Sequence, residues 1–281
     1  MAESEERTTP RRSPEGPLKP VRTILRQEIA QAQEELERPA YGLAVSGVLA
    51  GIGVGASTLG IGIVLTLTDG ALAPLTARIL AANAYTIGFI LVILAHTDLF
   101  TEYTTIAILP VLTGQARLRA LARLWGLVYA GNMAGAALFA VLLAMLGPAL
   151  GVVEREPLEK LARGFLAAPL DVMLLSAVLA GWLMGLLSWL VAAAQETISQ
   201  IVFIWLVTGL IGLAHLHHSI TSTLDVLAAM LMGADIPAGA LLGMVAIATL
   251  GNALGGLVFA ALIRFSLVLG RSEGSRVTRE R

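Results

Sequence analysis

His96-Thr97-Asp98-Leu99-Phe100-Thr101-Glu102-Tyr103-Thr104 and His215-Leu216-His217-His218-Ser219-Ile220-Thr221-Ser222-Thr223 are two polar stretches set inside otherwise apolar sequence. Each follows an apolar run of helical length, and each leads into only a short apolar run, 106–112 and 224–231. In hydrocarbon an unpaired N–H or C=O costs several kcal/mol, so a helix breaks at membrane depth only where protein or a watery cavity accepts the freed groups. The half-helix ends made by such a break expose amides with positive partial charge, which favour an anion held between them.

Working outward, each break is followed by a full apolar segment carrying the same small motif, Gly131-Asn132-Met133-Ala134-Gly135 and Gly251-Asn252-Ala253-Leu254-Gly255. The chain from His96 to Gly131 is nearly as long as that from His215 to Gly251. The expected spans are 41–67, 78–112 (interrupted), 121–146, 172–194, 198–232 (interrupted) and 238–269. Three crossings per half is an odd number, so the halves insert with opposite topology. The predicted fold is an all-α membrane protein of six transmembrane helices, arranged as two inverted three-helix repeats with a broken helix in each, a pattern that places the binding or conduction site at the centre.

Composition agrees. The hydrophobic fraction is 56% and the charged fraction 14%, against roughly 45–50% and 25% for an ordinary soluble domain. A net charge of −1 with no basic stripe argues against a nucleic-acid partner. The absence of cysteine removes disulfides, thiolate metal sites and cysteine nucleophiles together. Residues 1–39 are charged and proline-interrupted, without the apolar core of a secretory signal. The reading divides the chain into a cytoplasmic tail with an amphipathic helix (1–38), a transmembrane pore domain (39–269) and a cytoplasmic C-terminal tail (270–281).

Within the tail, Leu18, Val21, Leu25, Ile29, Ala32 and Leu36 recur at helical spacing, which predicts an amphipathic helix on the cytoplasmic surface. A second interfacial helix is expected over 153–170, mixing Glu154, Arg155, Glu156, Glu159, Lys160 and Arg163 with Leu and Phe. Six crossings put Arg22, Arg26, Arg38, Arg117, Arg119, Arg123, Arg264, Arg271, Arg276, Arg279 and Arg281 on one side. Only Arg78, Arg155, Lys160 and Arg163 fall on the other, so both termini are expected in the cytoplasm, with the protein in the plasma (inner) membrane.

Glycines four residues apart, Gly47/Gly51/Gly55, Gly131/Gly135, Gly181/Gly185 and Gly251/Gly255, predict close helix packing. Gly51-Ile52-Gly53-Val54-Gly55 superficially suggests a dinucleotide loop, but no strand precedes it and it lies inside an apolar span. Ionisable residues at membrane depth mark function, which singles out His96, Asp98, Glu102, His215, His217, His218 and Asp225. His96 and His215 are equally readable as structural hydrogen-bonders at the edges of the breaks. A metal held by His215, His217 and His218 with Asp98 is disfavoured, because His-x-His-His on a helix spreads its rings around the axis. No metal or cofactor is expected.

Asp98-Leu99-Phe100-Thr101 resembles the acid-Leu-Phe-Thr element of the formate/nitrite transporter family, and His218-Ser219-Ile220 resembles that family's central histidine element. The resemblance extends over residues 39–265. It implies an aquaporin-like protomer assembled as a homopentamer in lipid, each protomer carrying its own pore for a small anion. It further implies that Leu99 and Phe100 form an apolar constriction, that Thr101 hydrogen-bonds the central His218, and that Asn132 and Asn252 tie the broken helices down. Ser222 stands where the better-known formate channels have asparagine, the approach to His218 is rich in histidine, and no span contains lysine. These departures resemble a divergent branch of the family.

The mechanism expected is a pore whose apolar constrictions reject a bare charge. A weak-acid anion exchanges a proton at His218 while Thr101 holds the ring, and crosses with its charge reduced. Two alternatives stand beside it. One is a neutral-solute or cation pore with Asp98 and Glu102 in its vestibule, and the other is a membrane enzyme with a metal-bound hydrolytic centre.

Overall fold

The computed structural model describes residues 19–277, with side chains described for residues 19–263. The charged tail expected at the N-terminus and Arg264, Arg271, Arg276, Arg279 and Arg281 lie outside the described residues or side chains. The order is α1 (Val21–Glu37), α2 (Ala40–Thr68), α3 (Pro74–Leu94), α4 (Phe100–Ile106), α5 (Leu109–Leu112), α6 (Leu118–Ala149), α7 (Arg155–Leu166), α8 (Leu170–Ala193), α9 (Thr197–Leu213), α10 (Thr221–Leu231) and α11 (Ala238–Val277). All regular structure among the described residues is helical. α2, α3, α6, α8 and the Ala238–Ile263 part of α11 are long and apolar enough to cross a membrane, and α9 is an apolar helix of 17 residues.

The two halves repeat one plan of amphipathic helix, span, broken span, span. α1 leads through Pro39 into α2, and α7 leads toward Pro169 and α8. α2 packs on α6 and α8 on α11 as the most extensive contacts of the fold. Glycine makes that approach possible. A Cβ on Gly51 would strike the backbone carbonyl of Asn132, and a Cβ on Gly181 would strike that of Asn252. The halves are mutually inverted: Arg78, near the start of α3, donates from Nε to the carbonyl of Leu213 at the end of α9 (2.9 Å). At the other end, Ile93 and Gln200 border one cavity. α3 and α9 therefore run antiparallel.

The breaks are shorter than the sequence suggested. Helix resumes at Phe100 and at Thr221, so Thr101 to Thr104 and Thr221 to Thr223 belong to half-helices rather than to the interruptions. Both preceding helices end alike. His96 N–H bonds the Ile93 carbonyl and Thr97 N–H that of Val92, while His215 N–H bonds Gly212 and Leu216 N–H bonds Ile211. This is the Schellman pattern, and it puts His96 and His215 in the left-handed region, each at φ 52°. Histidine is among the few non-glycine residues enriched there.

The N-terminal helix begins at Val21 and is not a surface stripe alone. Its buried line is Ile24, Glu28, Ala32 and Leu36, with Leu25 and Ile29 flanking it and Val21 exposed. The periodicity missed this because the inward face includes a carboxylate, Glu28, that borders a cavity. α1 packs against α4, α5, α6 and α8. α7 is its counterpart in the second half, burying Leu158, Ala162 and Phe165 and packing on α10, α2 and α11. α11 continues without interruption through residue 270 to Val277.

Candidate functional site

The two breaks are held by equivalent bonds. Asn132 Oδ1 accepts from Phe100 N–H (2.8 Å), and its Nδ2 donates to the carbonyls of Asp98 and Gly47 (2.8 Å each). Asn252 does the same in the second half, accepting from Ser219 N–H (2.8 Å) and donating to His217 (2.9 Å) and Ala177 (2.8 Å). Ser46 Oγ accepts from Asp98 N–H (3.0 Å), as Ser176 Oγ accepts from His217 N–H (3.1 Å). These freed backbone groups of each break are thus satisfied from neighbouring helices, as breaking a helix at membrane depth requires.

This correspondence pairs Asp98 with His217 and Leu99 with His218. Asp98 and His217 anchor the breaks to the amphipathic helices. The Asp98 carboxylate accepts from Arg38 Nη1 (2.9 and 3.1 Å) just beyond α1, and from Tyr103 Oη (3.0 Å). The His217 Nε2–H donates to the Phe165 carbonyl of α7 (3.0 Å), and its Nδ1 lies 3.0 Å from Ser176 Oγ. His218 occupies the other role. It is fully buried, its Nε2 lies 2.9 Å from Thr101 Oγ1, and the edge-on ring of Phe89 is 5.2 Å away between centroids. The amides of Ile220 and Thr221 both point at Nδ1 (3.4 Å each). An amide can only donate, so Nδ1 is the acceptor and the ring proton sits on Nε2, donating to Thr101 Oγ1. The Thr101 hydroxyl proton then faces away from the ring and is free for a ligand.

α3 shows where this pair lies. Tyr85, Phe89 and Ile93 follow one another at four-residue spacing on one face, about 6 Å apart along the axis. Tyr85 borders a pocket of about 30 Å³ shared with Arg78, His215, Phe165 and Asp225. Phe89 touches His218, and Ile93 borders a cavity of about 340 Å³ shared with His96, Glu102, Glu28 and Lys19. His218 and Thr101 therefore stand between two recesses that reach in from opposite ends of the α3/α9 pair, a small, mostly apolar one and a larger polar one.

The remaining candidates separate. Leu99 is buried in the same apolar cluster as Phe89, Ile220 and Leu224. Phe100 turns the other way, packing edge-on to Tyr129 and Trp125. The aromatic against the imidazole is Phe89, which the sequence reading passed over. Ser222 Oγ accepts from the His218 N–H (3.2 Å) and fixes the turn that carries the ring. Asp98 is committed to Arg38 and Tyr103, which leaves Glu102 as the carboxylate of the first break that borders the larger cavity. His215, His217 and His218 lie in the break between α9 and α10 rather than on a helix: His215 and His217 both sit against Phe165, and His218 meets Thr101. Outside the spans, burial, reinforced by nearby Glu102 and opposed by Lys19, holds the Glu28 carboxyl up at about 8. The signal that would have found Ser46 and Ser176 was present in the sequence: Ser46-Gly47 and Ser176-Ala177 precede Gly51 and Gly181 by equal distances.

Comparisons with known proteins agree with this architecture. The chain is 33% identical over 198 residues to the inner membrane protein YfdC of Escherichia coli (strain K12), a match covering 69% of this chain and 62% of that protein. It is 29% identical over 226 residues to the nitrite transporter NirC of Salmonella typhimurium, covering 79% of this chain and 81% of that one. A solved FNT family ion channel superposes with a TM-score of 0.78 at 24% identity, covering 88% of this chain and 99% of that one. A pentameric formate channel with formate bound superposes with a TM-score of 0.69 at 19% identity, covering 82% and 98%. The sequence profile described as formate/nitrite transporter matches residues 22–266, and this integral membrane chain belongs to that family.

Proposed function

We propose that this protein is a transmembrane pore for small monovalent anions of weak acids, of the formate and nitrite class, with six crossings and both termini in the cytoplasm. Residues 39–269 form the pore body, and 1–38 and 270–281 form its cytoplasmic tails. The supporting observation is the order on α3: a small recess at Tyr85 that holds Arg78, His215 and Asp225 in a mostly apolar lining, an apolar collar at Phe89 with His218 and Thr101, and a larger polar recess at Ile93. The likeness to a solved channel described as pentameric supports a homopentamer, with Leu49, Leu142, Leu175 and Leu250 among the exposed apolar side chains turned to lipid or neighbouring protomers.

The chemistry follows from the collar. Leu99, Phe89, Ile220 and Leu224 offer a charge nothing to replace its water, so a bare anion meets a steep barrier. The free hydroxyl proton of Thr101, its oxygen held by His218 Nε2–H, is a hydrogen-bond donor aimed at an oxyanion in that collar. A weak acid crosses with its charge neutralised by a proton, and Thr101 and His218 replace part of its hydration. Reconstituted protein should pass formate, nitrite and hydrosulfide faster as pH falls, and should exclude glycerol and chloride. His218→Ala should lower formate flux at every pH, and an unchanged flux would refute a role for the imidazole. Glycerol flux equal to formate flux would favour the neutral-solute pore instead.

A further inference from the structure

Asp225 has no part in the site described so far. It lies one turn after Thr221 on α10, is 1% exposed, and accepts a hydrogen bond from Thr58 Oγ1 of α2 (2.6 Å). A bare carboxylate at this depth is costly unless a cation or several donors hold it. Asp98, the buried carboxylate of the first break, has an arginine. Asp225 has one hydroxyl, and its side chain borders the pocket of about 30 Å³, room for roughly two waters. The other titratable or charged groups on that pocket are Arg78 and Tyr85 of α3 and His215 of the second break; α7 contributes only Leu161 and Phe165, and α2 only Ile61. Arg78 already spends its Nε on the Leu213 carbonyl.

The pocket also connects to the collar. Thr221 Oγ1 lies 3.0 Å from Tyr85 Oη, and the Thr221 amide donates to His218 Nδ1. His218 itself is a poor source of a proton for the anion. Its Nδ1 already faces two amide donors, so a second ring proton has no place without turning the ring, and its single proton is engaged with Thr101.

We propose that Asp225 is the proton-loading residue of the pore on the His215 side, protonating the anion before it reaches His218. This rests on the pore reading above. An oxyanion in the pocket takes the proton from Asp225: the O–H bond at the carboxyl breaks and an O–H bond forms on the anion. The carboxylate left behind regains a proton from a hydronium ion in the pocket, releasing water. Arg78 at the pocket provides positive charge that attracts the anion.

The test uses full-length protein in liposomes with formate as the probe and pH varied. Without local loading, flux tracks the free acid in solution and falls about tenfold per pH unit. Wild type should fall less steeply, Asp225→Asn should fall the full tenfold, and Asp225→Glu, which keeps an acid, should restore the shallow slope. Infrared spectra should show a neutral-carboxyl C=O stretch in wild type that Asp225→Asn lacks, a readout independent of transport. An Asp225→Asn protein with the wild-type slope, or a wild type without that band, overturns the assignment while wild-type formate flux leaves the pore reading standing. A wild type that passes no weak-acid anion overturns both.

Discussion

Replacing Asn252 by alanine removes three buried hydrogen bonds at once, from Ser219 N–H and to the carbonyls of His217 and Ala177. In membrane proteins a side-chain hydrogen bond contributes about 0.6 kcal/mol on average, so the three bonds amount to about 2 kcal/mol. The Ser219 amide, fully buried, is left without its acceptor, which adds about 1–3 kcal/mol. The two carbonyls suffer less, since each has a second lone pair and nearby amides. The expected loss is therefore about 3–5 kcal/mol, to be read from reversible unfolding in mixed micelles. Because Asn132 makes the same three bonds to Phe100, Asp98 and Gly47, Asn132→Ala should cost the same within about 1 kcal/mol. Hydrogen exchange at the Ser219 amide should accelerate in the Asn252 variant while the Phe100 amide stays protected. A loss below about 0.5 kcal/mol, or a large loss in one half only, would refute the view that the two asparagines are equivalent clamps on the breaks.

Thr101→Val keeps the volume but removes the acceptor of His218 Nε2–H and the free hydroxyl in the collar, so formate flux should drop at least about tenfold with assembly size unchanged. Arg38→Gln leaves the buried Asp98 carboxylate with Tyr103 and no cation, which should destabilise by about 3 kcal/mol. Adding Asp98→Asn should recover most of that in a double-mutant cycle. Glu28 gives a pH dependence to the docking of α1. Its carboxyl is raised from 4.5 to about 8 when docked, so the docked state binds the extra proton. Docking is strongest below pH 4.5 and weakens as pH rises toward about 8. Protease sensitivity of α1 should climb over that range in wild type and stay flat in Glu28→Gln.

The repeat was legible in the sequence because broken helices in lipid leave a compositional mark: polar stretches at His96 and His215 in corresponding places, each followed by a Gly-Asn motif. The bond between His218 and Thr101 followed only from the family resemblance, since nothing local says which threonine of Thr101, Thr104 and Thr105 a distant imidazole meets. The ion pair of Asp98 is hidden from the sequence for a similar reason. Its partner Arg38 lies 60 positions away beyond α1, and no periodicity announces such an ion pair. Phe89 carries no signal of its own, being one apolar residue in an apolar helix. The extent of each break was overestimated because threonine and serine read as loop-forming, although at membrane depth they continue the helix and bond backward, as Thr104 does to the Thr101 carbonyl (2.9 Å).

Since the chain has no cysteine, a single introduced thiol reports on one position alone. Leu99 pairs with His218 across the two breaks, is fully buried, and is proposed to line the collar through which the anion passes. Formate flux through Leu99→Cys in liposomes, measured before and after a small mercurial, tests that passage directly. Block in proportion to labelling is the predicted result. Stoichiometric labelling with undiminished flux would contradict a route between the breaks.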